Sequence, residues 1–200
     1  KGMQTREEDV VTKLFLSSNH SYLLYFTDMG RVYRTKTYNI PEAGRTAKGT
    51  PVVNIIEKSP EEKISEIIPV KEFSDNEYLV MVTKNGIIKK TPASEYESIR
   101  KSGKIAITLK EGDELISIFK TTGNDNIFLA TRNGMAICFN ENDARAVGRT
   151  ASGVKAIDLA DGDYVVGAEP VREDSKVLLV TDGGYGKCTD LTSFRIQHRG

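Results

Sequence analysis

The chain has 200 residues, 38% of them hydrophobic, enough for a sizeable buried core. Its 28 basic residues are matched by 28 acidic ones, so the net charge by itself gives no sign of a nucleic-acid partner. No apolar run approaches the roughly 18 residues of a membrane span, and no secretory leader opens the chain.

Lys1 reads as the cut end of a longer protein. Glu7-Glu8-Asp9 is an acidic turn, and Val10 to Leu16 is the strand expected after it. Tyr22 to Phe26 is a second apolar run. It enters a turn at Thr27–Gly30 and returns as Arg31 to Thr35. Then comes a small basic loop flanked by glycines, Gly44-Arg45-Thr46-Ala47-Lys48-Gly49. Beyond it, Pro51 to Ile56 is expected as a strand, followed by the acidic turn Ser59-Pro60-Glu61-Glu62 and a strand from Ile64 to Val70.

The same order then repeats. Tyr78 to Val82 leads through Thr83–Gly86 into Ile87 to Thr91, and Arg100-Lys101-Ser102-Gly103 is a weaker basic loop. Ile105 to Leu109 alternates with period two and turns through Glu111-Gly112-Asp113 into Leu115 to Phe119. Ile127 to Ala130, Thr131–Gly134 and Met135 to Phe139 make the third hairpin. It is followed by the loop Gly148-Arg149-Thr150-Ala151-Ser152-Gly153. Val154 to Leu159, Asp161-Gly162-Asp163 and Tyr164 to Val166 repeat the next pair. Val177 to Val180, Thr181–Gly184 and Tyr185 to Thr189 make the fourth hairpin, and Gln197-His198-Arg199-Gly200 begins a fourth basic loop.

The four hairpin threonines are 56, 48 and 50 residues apart. Asn85-Gly86 and Asn133-Gly134 are strong hairpin signals, because a type I′ turn requires positive φ at both centres. One unit is therefore strand, acidic turn, strand, Thr-x-x-Gly hairpin, strand and basic loop. The units fall near 2–48, 49–102, 103–152 and 153–200 of a single repeat domain. Four short strands per repeat predict an all-β, propeller-like array with about four blades in this chain. A β-sandwich is the alternative.

Charge follows the repeat. The arms from each hairpin threonine through the basic loop carry 18 of the 28 basic residues but only 8 of the 28 acidic ones. Arranged radially, the arms are expected to share one edge and the acidic turns another, which gives a polyanion a continuous positive track. The residues expected to meet phosphates are Arg31, Arg34, Arg45 and Lys48 in the first arm. The second arm supplies Lys89, Lys90, Arg100, Lys101 and Lys104. Arg132, Arg145 and Arg149 follow in the third, and Lys187 and Arg199 in the fourth. Loops of Gly, Thr and Ser also leave backbone N–H groups for phosphate oxygens. No base-reading helix is expected, so contact with a nucleic acid, double-stranded DNA included, should go to its backbone and be largely independent of sequence. For Tyr33, core packing is favoured over stacking on a base.

No P-loop spacing occurs, since Gly183-Gly184-Tyr185-Gly186-Lys187 occupies the hairpin slot. His20 and His198 lack neighbouring ligands or nucleophiles. Cys138 and Cys188 sit in equivalent slots of different units, too far apart to bond, and a reducing, cytoplasmic setting is the default. The acidic turns fall short of a calcium loop. The expectation is a non-catalytic chain with no cofactor and no metal site.

Gly30-Arg31-Val32-Tyr33, Tyr38-Asn39-Ile40-Pro41-Glu42-Ala43, Asn85-Gly86-Ile87-Ile88-Lys89-Lys90-Thr91 and Glu111-Gly112-Asp113-Glu114-Leu115-Ile116 together resemble the C-terminal domain of the bacterial DNA gyrase A subunit, a type IIA topoisomerase. Topoisomerase IV shares the repeat more loosely. The resemblance covers the whole chain. It implies a β-pinwheel of four-stranded blades that exchange strands, with a basic rim that wraps and bends DNA in support of ATP-dependent negative supercoiling. It also implies two partners, the gyrase B subunit together with the rest of the gyrase A subunit, and a bacterial, nucleoid-associated location. ATP and magnesium then belong to the holoenzyme alone. The family's Gln-Arg-Arg-Gly-Gly-Lys-Gly box is matched at its tail by Lys1-Gly2, and a later box-like start by Gln197-His198-Arg199-Gly200. A propeller that binds protein through the charged edge is the rival reading.

Overall fold

Apolar runs of four or five residues, each closed by a Thr-x-x-Gly turn, form the four hairpins of the structure. It is a computed structural model that describes residues 10–200. Lys1-Gly2 and the turn at Glu7-Glu8-Asp9 lie outside the described residues. The hairpins are β1 (Tyr22–Thr27) with β2 (Arg31–Lys36), and, after β3 (Ile64–Val70), β4 (Tyr78–Thr83) with β5 (Ile87–Pro92). After β6 (Lys104–Ile105) and β7 (Leu115–Thr121) come β8 (Asn126–Thr131) and β9 (Ala136–Asn140). After β10 (Val154–Lys155) and β11 (Val165–Pro170) come β12 (Lys176–Val180) and β13 (Gly186–Asp190). In every hairpin the turn glycine N–H bonds to the threonine carbonyl. In each, the threonine hydroxyl also accepts the N–H of the residue that follows the turn glycine, as Thr83 does from Ile87.

The sheets are composites of the sequence units. Their strand orders are β3-β1-β2-β6, β10-β5-β4-β7, β11-β8-β9 and β12-β13, all antiparallel. Each of the first three hairpins takes one flanking strand from beyond its own basic loop, as β4 takes β7. The first two take their other edge from beyond the next basic loop, as β2 takes β6 and β5 takes β10. A unit therefore supplies strands to two neighbouring blades. The fold is an all-β pinwheel.

Burial follows the alternation of a strand covered on both faces. Leu79 and Met81 face the first sheet and pack with Leu24, Phe26 and Val32. Val80 and Val82 face the third and pack with Ile127, Leu129, Ile137 and Phe139. β7 touches both β3 and β11, which places these flanking strands on the inner side. The opposite edges, β6 and β10, are the outer rim. In β12, Leu178 and Val180 are exposed, because this last hairpin forms a two-stranded sheet on its own.

Four expected strands are corrected. Val10 to Leu16 is irregular. Pro51 to Ile56 holds a 3-10 turn at Val52–Asn54. Ile105–Leu109 and Val154–Leu159 pair only through β6 and β10, two residues each. The physical reason is shared. A strand that follows an acidic turn or a basic loop pairs with an earlier hairpin, and among the described residues none precedes β1 for Val10 to Leu16 or Pro51 to Ile56 to join. After β6 and β10 the chain leaves the rim to cross toward the next sheet.

That crossing also corrects the expected charge layout. The acidic turns do not occupy an edge away from the hairpin turns but pack directly on them. The Asp113 carboxylate accepts the Asn85 N–H at 2.9 Å, and Asp163 accepts that of Asn133 at 3.0 Å. Lys84 pairs with Glu114 at 3.4 Å. Burial pushes the Asp163 carboxyl up, but the Thr131 hydroxyl and the Asn133 and Tyr164 amides hold it below the usual carboxylate range. This lock is therefore in place at neutral pH and is lost as pH falls through that depressed value. Asp113→Ala should cost about 1–2 kcal/mol by stranding the Asn85 N–H, read as a lower urea midpoint.

Candidate nucleic-acid interface

The basic loops build the outer rim, and they are linked to one another. Loop 148–153 lies against the strand that follows loop 100–103. Thr108 donates its N–H to Ala151 O at 3.2 Å and its hydroxyl to Thr150 O at 2.7 Å, and the Arg149 guanidinium donates to Ile105 O. The pattern recurs one unit later. Arg199 donates to Lys155 O at 2.8 Å, and the Gly200 N–H donates to Ala156 O at 3.0 Å. Arg149 and Arg199 lie fifty residues apart and reach equivalent carbonyls, those of Ile105 and Lys155. The segments leading into these loops are also pinned alike, since Val147 N–H donates to Lys90 O and Gln197 N–H to Cys138 O, both at 2.9 Å.

The expected phosphate contacts divide into four groups. Arg45, Lys48, Arg100, Lys101 and Arg145 are exposed on rim loops and their approaches. Lys101 also pairs with Glu57 at 3.4 Å. A second group is half-buried and holds the rim together. Arg31 donates to Ser102 O at 3.1 Å and lies 3.6 Å from Glu62, and Arg34 donates to Glu97 O while lying 4.6 Å from the Tyr22 ring centre. Arg149 and Arg199 belong here, and Lys104 is half-buried within β6. Arg132 is exposed at a hairpin turn beside Asp182, at 3.6 Å, and Lys187 is exposed on β13; neither joins the rim loops.

Lys89 and Lys90 form the last group and are corrected outright: they are 1% and 4% exposed. β5 is covered on both faces, so both side chains enter the interior. The Lys89 ammonium meets the carbonyls of Ala106 and Arg149 at 2.5 Å each, with Gly148 O and the Tyr96 hydroxyl at 3.4 Å. Burial, and then the Arg149 charge, lower its pKa to about 7. Lys90 lies 3.5 Å from the fully buried Glu141 and donates to Asn142 Oδ1 at 3.1 Å. A signal for both was present in the sequence, since Ile137 and Cys138 hold the same two slots in the next hairpin.

Tyr33 is core, as expected. It is 2% exposed and donates its hydroxyl to Glu62 at 2.6 Å. Its phenol is pushed up by burial and by that carboxylate. Lys36, which carries no signal in the basic loops, sits 3.5 Å from the Tyr22 ring centre beside Arg34. Among the described residues, no cluster of three or more His, Cys, Asp or Glu could hold a metal. Among them, no helix is long and apolar enough to cross a membrane.

The family model described as "DNA gyrase C-terminal domain, beta-propeller" matches this chain in four successive segments, 21–71, 77–122, 125–172 and 175–200. The chain belongs to that family. The matched segments begin just ahead of each hairpin, so a gyrase C-terminal repeat is counted hairpin first. The DNA gyrase A subunit of Staphylococcus epidermidis is 46% identical over 203 residues, covering all of this chain and 23% of that protein. The corresponding gyrase protein of Ureaplasma parvum is 44% identical over 200 residues, covering all of this chain and 24% of that protein. The chain thus spans about a quarter of the length of these relatives.

Two solved structures share the gyrase-type fold. A C-terminal domain of DNA topoisomerase IV aligns with a TM-score of 0.84 at 33% identity, covering 91% of this chain and 57% of that one. A DNA gyrase A C-terminal domain aligns with a TM-score of 0.76 at 26% identity, covering 92% and 59%.

Proposed function

We propose that this domain is a non-catalytic module that binds duplex DNA along its outer rim and bends it around the blades. The observation that carries the reading is the linkage of successive basic loops. Loop 148–153 rests on the strand after loop 100–103, and loop 197–200 on the strand after loop 148–153. A bent duplex needs contacts at regular intervals on one stiff edge, and these shared hydrogen bonds fix the interval. The exposed cations and loop amides suit phosphate oxygens, and among the described residues nothing on the rim is shaped to enter a groove and read bases.

Within a whole gyrase, such wrapping would present a second duplex segment for strand passage and bias the product toward negative supercoils. The partners are then the gyrase B subunit together with the rest of the gyrase A subunit. ATP and magnesium act on those parts, in a bacterial cytoplasm at the nucleoid. The outward-facing cations are the contacts proposed, while Lys89 and Lys90 act from inside.

The test is salt-dependent binding to random duplex DNA. Arg100→Ala with Lys101→Ala should weaken binding to every sequence alike and reduce the slope of log K against log salt by roughly 1.8, about 0.9 for each phosphate no longer neutralised. Binding that ignores salt or strongly prefers one sequence overturns the proposal. No binding at low salt favours the protein-binding propeller.

A further inference from the structure

Lys89 is a buried cation that the interior does not need for packing. The equivalent slot of the third hairpin holds Ile137, in the same register against Leu129 as Lys89 against Met81. Ile137 is buried at 4% and packs as an ordinary core residue. An ammonium in this environment costs folding free energy unless it does something an isoleucine cannot. What it does is visible in its partners. Ala106 O belongs to the segment just beyond β6, while Gly148 O and Arg149 O belong to the next basic loop. One charge thus joins the rim strand of the first blade to the rim loop that lies over it.

We infer that Lys89 is a positioning residue for DNA binding, whose ammonium holds loop 148–153 in the shape that presents its backbone amides to the duplex. The inference rests on the DNA-binding reading above. Without the ammonium, the Arg149 carbonyl loses its partner, and the loop must open to let water meet it. Ala106 O keeps the Tyr96 hydroxyl at 3.2 Å, and Gly148 O keeps the Ala151 N–H at 3.1 Å, so the effect is confined to the loop.

The groups that act on Lys89 are few. The Tyr96 phenol, itself pushed up by burial, stays protonated through the neutral range. Arg149 disfavours the ammonium, and Glu95 favours it. With a folded value near 7 against the ordinary 10.5, the charged pin is present below about pH 7 and lost above it. Its depressed value has a second consequence. Folding stability falls as pH drops from 10.5 toward 7, where the unfolded chain holds the proton and the folded one does not, so the charge is a cost to folding.

The experiment compares the full-length protein that carries this domain with its Lys89→Ile variant, using random duplex DNA from about pH 6 to 8.5, a range that brackets the folded value. Lys89→Ile should fold with undiminished stability. It should exchange the Ala151 amide faster and bind DNA roughly three- to tenfold more weakly at about pH 6. The wild-type advantage should shrink toward onefold by about pH 8.5, a trend that simple packing damage cannot produce. DNA binding by both proteins with superimposable affinities, or a ratio that does not change with pH, overturns the inference. If neither protein binds DNA at any pH, the DNA reading fails. Unchanged Ala151 exchange in Lys89→Ile separately defeats the pin.

Discussion

Glu141→Ala should lower the free energy of unfolding by about 3–5 kcal/mol, the usual result of stripping a buried cation of its partner. Glu141 is fully buried, in the 3-10 turn that follows β9. One carboxylate oxygen accepts the N–H groups of Gly123 at 2.9 Å and Asp125 at 2.7 Å, and the other accepts the Thr121 hydroxyl at 2.8 Å. Lys90 approaches from the second sheet at 3.5 Å. One side chain therefore closes the β7–β8 connection and latches the second blade to the third. Alanine leaves two amides and the Thr121 hydroxyl without their acceptor and the Lys90 ammonium without its counter-ion. The measurement is the urea midpoint at unchanged slope. Lys90→Met combined with Glu141→Gln removes both charges and keeps an acceptor for the amides, so the double variant should lose less than the single one. A single variant that costs under about 1 kcal/mol would show that the pair does not latch the blades.

The hairpins were legible because their cause is local. A β-rich run followed by Thr-x-x-Gly states both strand and turn within a dozen residues, and the structure places all four where the sequence does. The exchange of strands between blades is different in kind. Nothing within Ile105 to Leu109 says that it borders β2 rather than its own hairpin, and nothing in Pro51 to Ile56 says that the strand it would join is not among the described residues. Charge was misread for the same reason. Acidic and hairpin turns are distant in sequence, so counting along the chain set them at opposite ends. The crossing segment instead folds each acidic turn onto the hairpin turn of the blade it flanks, where Asp113 and Asp163 serve as caps. Lys89 and Lys90 show the limit of residue type as a guide. Adjacent lysines suggest a solvated edge, yet a strand between two apolar sheets has no solvated face.

Gly153→Ala should cost about 2–5 kcal/mol, although the same substitution at Gly49, its counterpart in the first basic loop, should stay within about 0.5 kcal/mol. The two glycines close loops of nearly identical sequence, and only their surroundings differ. Gly153 has φ +88°, where an L-residue is strained by roughly 1–2 kcal/mol. A Cβ there would also meet the Ile87 side chain and the Ile88 carbonyl carbon at 3.0 Å, with the carbonyl oxygen closer still. That obstacle is backbone inside a paired strand, so it cannot swing aside as a side-chain tip can. Gly49 has no neighbour within 4 Å of such a Cβ and needs no left-handed backbone. The difference follows from strand exchange. Gly153 delivers the chain into β10, pressed against β5, whereas Gly49 leads into exposed irregular chain. Gly103, ahead of β6, behaves like Gly153, since its φ is +75° and a Cβ would lie 2.5 Å from the Tyr33 ring. Urea titration of Gly153→Ala and Gly49→Ala decides the point. Equal losses at the two sites would mean that the rim loops share one structure and that the exchanged strand does not set the shape of the edge.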